Sequence, residues 1–374
     1  MAARILSVTM REFRTYARAE ARLGPGLSVV HGRNGAGKSN LLEAIYYGCT
    51  GRSPRTRNER ELTRFGASAS RVTVQLADAD GTHELAVGFG AEERGAPLVK
   101  RMRADGADVE RLLDVPFRPL VSVFMPDRLE LVKGAPAARR AHVDQLLAAL
   151  WPARAQTRRD YSRVLAQRNA LLLAIRSRRV SRASLPAWDR ELAALALELR
   201  DDRARALELL AQPYAERAGA LGLTGESQLE YRARTRAEDA DAFVGELEER
   251  VERDIERGFT SHGPHRDEIA LLRDGRELRT YGSQGEQRMA LLALLLAERA
   301  VLGAERGEVP LMLLDDVMSE LDSDRREQLA AELTAAGQSV IASTDLAHVP
   351  GALEASVTRL RISPGTIMQE ALAA

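Results

Sequence analysis

Val29-Val30-His31-Gly32-Arg33-Asn34-Gly35-Ala36-Gly37-Lys38-Ser39-Asn40 decides the fold. A β-branched, apolar lead-in from Leu27 runs into a Gly-rich turn ending in Lys-Ser, and Leu41-Leu42-Glu43-Ala44-Ile45-Tyr46-Tyr47 follows at helical spacing. This is G-x-x-x-x-G-K-S between a strand and a helix, the context in which a phosphate loop works. Glycines let backbone N–H groups converge on phosphate oxygens, and the helix N-terminus adds its positive dipole end. Lys38 would reach the outer phosphates of a nucleoside triphosphate, and the Ser39 hydroxyl would take one position on Mg²⁺. The bland alternative is a strand-to-helix turn with a solvated lysine. It is weakened by rarity, because Lys38 is one of only three lysines among 54 basic residues.

The chain of 374 residues has room for one large domain or two moderate ones, and its 45% hydrophobic content supplies a core. Formal net charge is zero, so any polyanion must be met by a local patch. The single cysteine, Cys49, excludes an internal disulfide and fits a reducing compartment. The longest apolar run, Ala290 to Ala297, is far short of a membrane span, and the first residues lack a signal-peptide core. A soluble, cytoplasmic protein is expected.

Along the chain, residues 4 to 31 read as two strands around a turn at Gly24-Pro25-Gly26. Residues 71 to 89 alternate around Asp78-Ala79-Asp80-Gly81, a hairpin signal, and Val99–Arg103 and Val121–Phe124 read as strands. Helical periodicity then dominates from about 136 to 257, with turns at 181–186 and 221–227. Strand texture returns at Ile269–Leu272, followed by a helix over 284–303, a strand ending in Asp315-Asp316, a helix near 323–336 and a strand at 340–342. The expected architecture is α/β, a P-loop head split into residues 1–130 and 262–374 by a helical arm over 131–261.

Leu311-Met312-Leu313-Leu314 reads as a buried parallel strand delivering Asp315 and Asp316 at its C-terminal edge, where α/β sheets bind ligands. Asp315 is placed to hold Mg²⁺ through water, beside Ser39, and Asp316 to orient or deprotonate the attacking water. Ser283-Gln284-Gly285-Glu286-Gln287 leads into a very apolar helix and is a second candidate anion site, weak on its own. Ser319-Glu320-Leu321-Asp322 alone is an N-cap sequence.

Together these motifs resemble the ATPase heads of the ABC and SMC type. The resemblance makes Arg33–Asn40 the Walker A motif, Leu311–Asp316 Walker B, Ser283–Gln287 the signature and Ser319 to Asp322 the D-loop. In that class two heads sandwich two ATP molecules, and the signature of one head meets the γ-phosphate held by the other. Finer features are similar to the bacterial RecF family of recombination mediators: Met10-Arg11-Glu12-Phe13-Arg14-Thr15-Tyr16, Gly51-Arg52-Ser53-Pro54-Arg55, the Pro126–Arg140 stretch and Gly263-Pro264-His265-Arg266-Asp267. The resemblance implies a slow ATPase that forms an ATP-dependent homodimer on double-stranded DNA and junctions, and works with RecR and RecO to load RecA at gaps.

Departures from the broader class are visible. Walker B ends Asp-Asp rather than Asp-Glu, Gln284 replaces the first signature glycine, no glutamine stands near Phe124–Pro126, and Ser343-Thr344-Asp345 lacks a switch histidine. Candidate DNA contacts are Arg52, Arg55 and Arg57 after the P-loop helix, and Arg139 and Arg140 in the Pro126–Arg140 stretch. Residues 151–182 add nine arginines against one acid, Asp160, and several could share a helix face. Two further readings remain open on sequence alone: the ATPase subunit of a transporter, which lacks such an arm, and a P-loop small-molecule kinase, in which the Ser283 stretch would be incidental.

Overall fold

A computed structural model describes residues 3–91 and 97–370, and the chain forms two compact units. The first comprises residues 1–129, 220–222 and 302–374, and the second 130–219 and 223–301. The line falls differently from the sequence division at residues 262–301, because β10 (Glu268–Arg273) pairs antiparallel with β9 (Ser227–Arg232) of the second unit.

The first unit holds two six-stranded sheets. One is antiparallel, in the order β2 (Tyr16–Arg22), β1 (Arg4–Phe13), β4 (Ser70–Ala77), β5 (Thr82–Gly90), β6 (Val99–Ala104) and β7 (Ala107–Asp108). Its strands alternate, so Val8, Met10, Val72, Val74, Leu85 and Val87 are buried while Arg11, Arg71 and Arg101 are exposed. The other sheet runs β15 (Thr366–Gln369), β14 (Thr358–Ser363), β3 (Leu27–His31), β13 (Ser339–Ser343), β12 (Leu311–Asp315) and β8 (Val121–Phe124). All its pairings are parallel except that of β15. Strands β12 and β13 are buried at every residue, which is why their sequences are unbroken apolar or small runs rather than alternating ones. Helix α1 (Lys38–Thr50) leaves β3 and buries Leu41, Leu42, Ala44 and Ile45 in the same core as both sheets.

The sequence reading of two strands before the P-loop is corrected to three. β1 continues to Phe13, and β2 starts at Tyr16 after a turn in which Glu12 and Arg14 take positive φ (47° and 51°). No glycine or proline marks that turn, so nothing in the sequence advertised it.

The second unit is helical as expected. It contains α2 (Glu130–Lys133), α3 (Pro136–Leu150), α4 (Ala155–Arg176), α5 from Leu185, α6 (Ala240–Glu248) and α7 (Val251–Arg257). Within the stretch read as helical, Ser227–Arg232 is instead an edge strand of a small sheet ordered β11 (Arg276–Glu277), β10, β9. Its polar residues Gln228, Glu230 and Arg232 hid the strand. Helix α8 (Leu278–Tyr281) precedes α9 (Gln284–Arg306), and α10 (Ser323–Ala335) lies in the first unit between β12 and β13 in the chain. No helix among the described residues is long and apolar enough to cross a membrane.

Candidate nucleotide site

The parallel sheet brings three strand ends together. β3 delivers the P-loop, β12 delivers Asp315 and Asp316, and β13 lies between them. The loop glycines take backbone conformations a side chain resists, with φ of 149° at Gly32, 77° at Gly35 and 119° at Gly37. A Cβ on Gly32 would sit 2.4 Å from the Ile362 carbonyl oxygen, and one on Gly37 would sit 2.8 Å from the Tyr16 hydroxyl. The loop therefore follows its path only with glycine at positions 32 and 37.

Lys38 is 7% exposed, and its ammonium donates to the carbonyls of Gly32 (2.8 Å) and Arg33 (3.2 Å) across the loop. Burial lowers its pKa, opposed by the nearby Asp316 and Asp315 carboxylates. Asp315 is 9% exposed and its pKa is raised by burial, with a hydrogen bond from the Ser39 hydroxyl pulling the other way. Ser39 and Asp315 are thus side by side, an oxygen donor pair of the kind Mg²⁺ takes, so the residues fit that ion. Asp316 follows in the left-handed region (φ 52°, ψ 28°), its N–H donating to the Ala342 carbonyl at 3.0 Å and its own carbonyl accepting from Ser319 Oγ at 2.8 Å. A non-glycine residue in that conformation is uncommon, and such residues cluster at functional loops.

A layer behind the loop was missed by the sequence reading. Glu43 is fully buried on α1 and accepts from Arg14 Nε and Nη2 (both 2.8 Å), from Ser53 Oγ (2.6 Å) and from Arg55 Nη1 (3.3 Å). Arg55 also donates to Asn40 Oδ1 (3.1 Å), and Asn40 donates to Thr15 Oγ1 (3.1 Å). Tyr16 donates its hydroxyl proton to the Gly37 carbonyl (2.9 Å). Arg14, Thr15 and Tyr16 on one side and Ser53 and Arg55 on the other therefore clamp the P-loop helix from outside. The signal was a glutamate in an otherwise apolar helical run with arginines on both flanks.

The other assigned residues fall as follows. Ser283 and Glu286 form a reciprocal capping box, Ser283 N to Glu286 Oε2 at 2.7 Å and Glu286 N to Ser283 Oγ at 3.2 Å. Gln287 is buried and donates to the Leu278 (2.9 Å) and Gly282 (3.2 Å) carbonyls, leaving Ser283, Gln284 and Gly285 exposed at the start of α9. Asp322 caps α10, accepting from Arg325 N at 3.0 Å.

Of the candidate DNA contacts, Arg52 and Arg57 are exposed, and Arg55 is tied to Glu43 and Asn40. Arg139 is 5% exposed and is taken by Glu268 (2.8 Å) and the Val132 and Gly134 carbonyls, so it holds the second unit together rather than facing a ligand. Arg140 donates to the Asp267 carbonyl at 2.7 Å. Five of the nine arginines of α4 and its flanks are likewise paired with acids: Arg154 with Glu198, Arg158 with Asp144, Arg163 with Glu191, Arg168 with Asp189 and Asp254, and Arg182 with Glu252. Among the described residues no group of three His, Cys, Asp or Glu side chains forms a metal cluster.

A P-loop and an acidic strand end separated by one parallel strand, in a chain that also carries an antiparallel sheet and a helical unit, define the ABC/SMC class of ATPase heads. The family model described as the RecF/RecN/SMC N-terminal domain matches residues 4–355. The chain is 36% identical over 352 residues to the DNA replication and repair protein RecF of Heliobacterium modesticaldum, covering 92% of this chain and 93% of that protein. It is 39% identical over 356 residues to RecF of Anaeromyxobacter dehalogenans, covering 91% and 92%. It superposes on a structure of the recombination mediator protein RecF–ATP of the RecFOR pathway with TM-score 0.84 and 25% identity, over 99% and 98% of the two chains. An SMC head bound to the C-winged helix domain of ScpA shares the fold, with TM-score 0.58, 16% identity and 98% coverage of each chain. The chain belongs to the RecF family.

Proposed function

We propose that the chain is an ATP-gated DNA-binding protein of recombinational repair. In this reading it dimerises on ATP, binds double-stranded DNA and gap junctions, hydrolyses ATP slowly, and with RecR and RecO helps load RecA onto gapped single-stranded DNA. The observation that carries it is the joint placement of Lys38, Ser39, Asp315 and Asp316 at the ends of two parallel strands separated by one other, in a RecF-family chain.

The residues take distinct roles. Backbone N–H groups of Gly32–Ser39 cradle the phosphates, and Lys38 exchanges its loop carbonyls for the outer phosphate oxygens. Ser39 and Asp315 would hold Mg²⁺, which would neutralise charge on the phosphates. Asp316 orients the attacking water and accepts its proton. Ser283 to Gln287 of a second copy present the exposed start of α9 to the γ-phosphate, so that ATP joins two chains. Ser319 and Asp322 shape the loop leaving Walker B. A carboxylate one methylene shorter than the usual glutamate, with no switch histidine after β13, suits a timed release rather than a fast motor. Arg52, Arg57 and Arg140 are the DNA contacts carried forward from the sequence.

DNA binding measured with and without ATP on duplex, single-stranded and junction substrates tests this reading. ATP-dependent affinity that favours duplex-containing substrates is expected. Equal affinity in every condition would overturn the gating.

A further inference from the structure

The strand registers of the antiparallel sheet create a feature that the sequence does not display. Arg18 lies opposite Arg11, Arg11 opposite Arg71, Arg71 opposite Gly88, and Gly88 opposite Arg101. Directly opposed residues share a face, so one row across β2, β1, β4, β5 and β6 carries four arginines and a glycine. The row is on the outer face: all four arginines are exposed, whereas the next residues along the strands, Met10, Val72 and Val87, are buried.

Like charges directly opposite one another destabilise a sheet, and adjacent strands are only about 4.8 Å apart. Burial does not require this row. Among the described residues, acids of the same face have other partners beside the row: Glu20 lies 3.1 Å from Arg22, Glu84 accepts from Gln75 at 2.8 Å and Asp108 lies 2.7 Å from Arg103. Among the described residues, Arg71 reaches Thr73 Oγ1 at 3.4 Å and Glu84 at 3.9 Å.

Gly88 adds an independent observation. It sits inside a strand, and a Cβ there would meet only the Ser70 carbonyl at 3.9 Å, so packing does not demand glycine. Glycine in a strand interior weakens the strand and leaves room for close approach to the backbone. Here it leaves a notch between Arg71 and Arg101. The neighbouring row places the hydroxyl-bearing Thr9 and Thr73 beside it.

We infer that this outer face is a binding surface for the sugar–phosphate backbone of duplex DNA, with Arg18, Arg11 and Arg71 as phosphate contacts and Gly88 as the point of closest approach. Planar guanidinium groups match phosphate oxygens in pairs, and threonine hydroxyls commonly add backbone contacts. The row has no apolar anchor of the kind a protein partner's hot spot would use. The inference rests on the DNA-binding reading above and gives it a surface.

The test uses the full chain, ATP and a labelled duplex, with binding read by anisotropy over a salt series. Arg11→Gln/Arg71→Gln should weaken binding roughly tenfold or more and make the slope of log affinity against log salt shallower by about 1.8, about 0.9 for each phosphate no longer neutralised. ATP-driven dimerisation should be unchanged and the melting temperature equal or higher, since repulsion is relieved. Arg18→Gln alone, on the outermost strand, should reduce the slope by about 0.9. Gly88→Gln should weaken binding several-fold without a change of charge. Affinity and slope equal to wild type in these variants would overturn the surface and leave DNA binding standing. Weaker binding with an unchanged slope in the arginine variants would overturn the phosphate contacts. A wild-type chain that binds no duplex in ATP would overturn the DNA-binding reading and this inference with it.

Discussion

The P-loop and helix α4 each depend on basic residues, yet they use them in opposite ways. Lys38 is a single buried cation whose counter-charges, Asp315 and Asp316, are arranged about an oxygen-rich site. Helix α4 and its flanks hold nine arginines against one acid in sequence, but the fold supplies acids from other segments to five of them. Arg168 is fully buried between Asp189 (2.6 Å) and Asp254 (3.0 Å), with Thr260 Oγ1 at 2.9 Å. Charge counted along a chain is therefore no guide to charge presented in space. The P-loop's meaning is local, set by consecutive residues from Gly32 to Ser39, whereas the partners of Arg168 lie 21 and 86 residues away.

If that contrast is right, the arginines of α4 should matter for stability and the P-loop residues for nucleotide handling. The largest effect is expected at Arg168→Ala, which strands two buried carboxylates and should cost about 3–5 kcal/mol in a urea melt. A loss below about 1 kcal/mol would break the comparison. Arg163→Ala, which removes an exposed pair with Glu191, should change stability by no more than about 1 kcal/mol.

Next comes His265, in the same unit. Its Nε2–H donates to the Thr260 carbonyl (2.9 Å) and Nδ1 accepts from the Tyr161 hydroxyl (2.7 Å), which fixes the neutral ring. Burial lowers its pKa to about 4, with Arg266 and Arg140 adding repulsion. Between that value and the ordinary 6.5 the unfolded chain binds the extra proton, so stability falls as pH drops through the window. Chemical denaturation at pH 7 and pH 4 should differ by about 3 kcal/mol from this group, and His265→Gln should remove that part of the slope.

The smallest stability effect sharpens the P-loop side. Asp315 has a raised pKa, so in the nucleotide-free chain its contribution to stability falls as pH rises through that pKa. At neutral pH Asp315→Asn should be at least as stable as wild type while losing Mg²⁺-dependent hydrolysis. A destabilised variant would contradict the electrostatic reading of the site.

What the sequence conveyed follows the same division. Strands β3, β12 and β13 were legible because burial on both faces writes unbroken apolar runs, and α1 because helical spacing follows the P-loop directly. The turn at Arg14 was not, since it rests on positive φ at residues other than glycine. The edge strand β9 was not, since its alternation is mostly polar. Within the site, Lys38, Ser39 and the Asp pair were read from spacing, whereas Glu43 needed three dimensions, its donors coming from residues 14, 53 and 55. The arginine row on the outer sheet face likewise exists only through register.

Sedimentation velocity with and without ATP, on wild type, Lys38→Ala and Asp316→Asn, tests the central claim most directly. The wild-type chain should dimerise on ATP and return to monomer as ATP is consumed, Asp316→Asn should remain dimeric, and Lys38→Ala should stay monomeric. A Lys38→Ala chain that still dimerises with ATP would contradict the account.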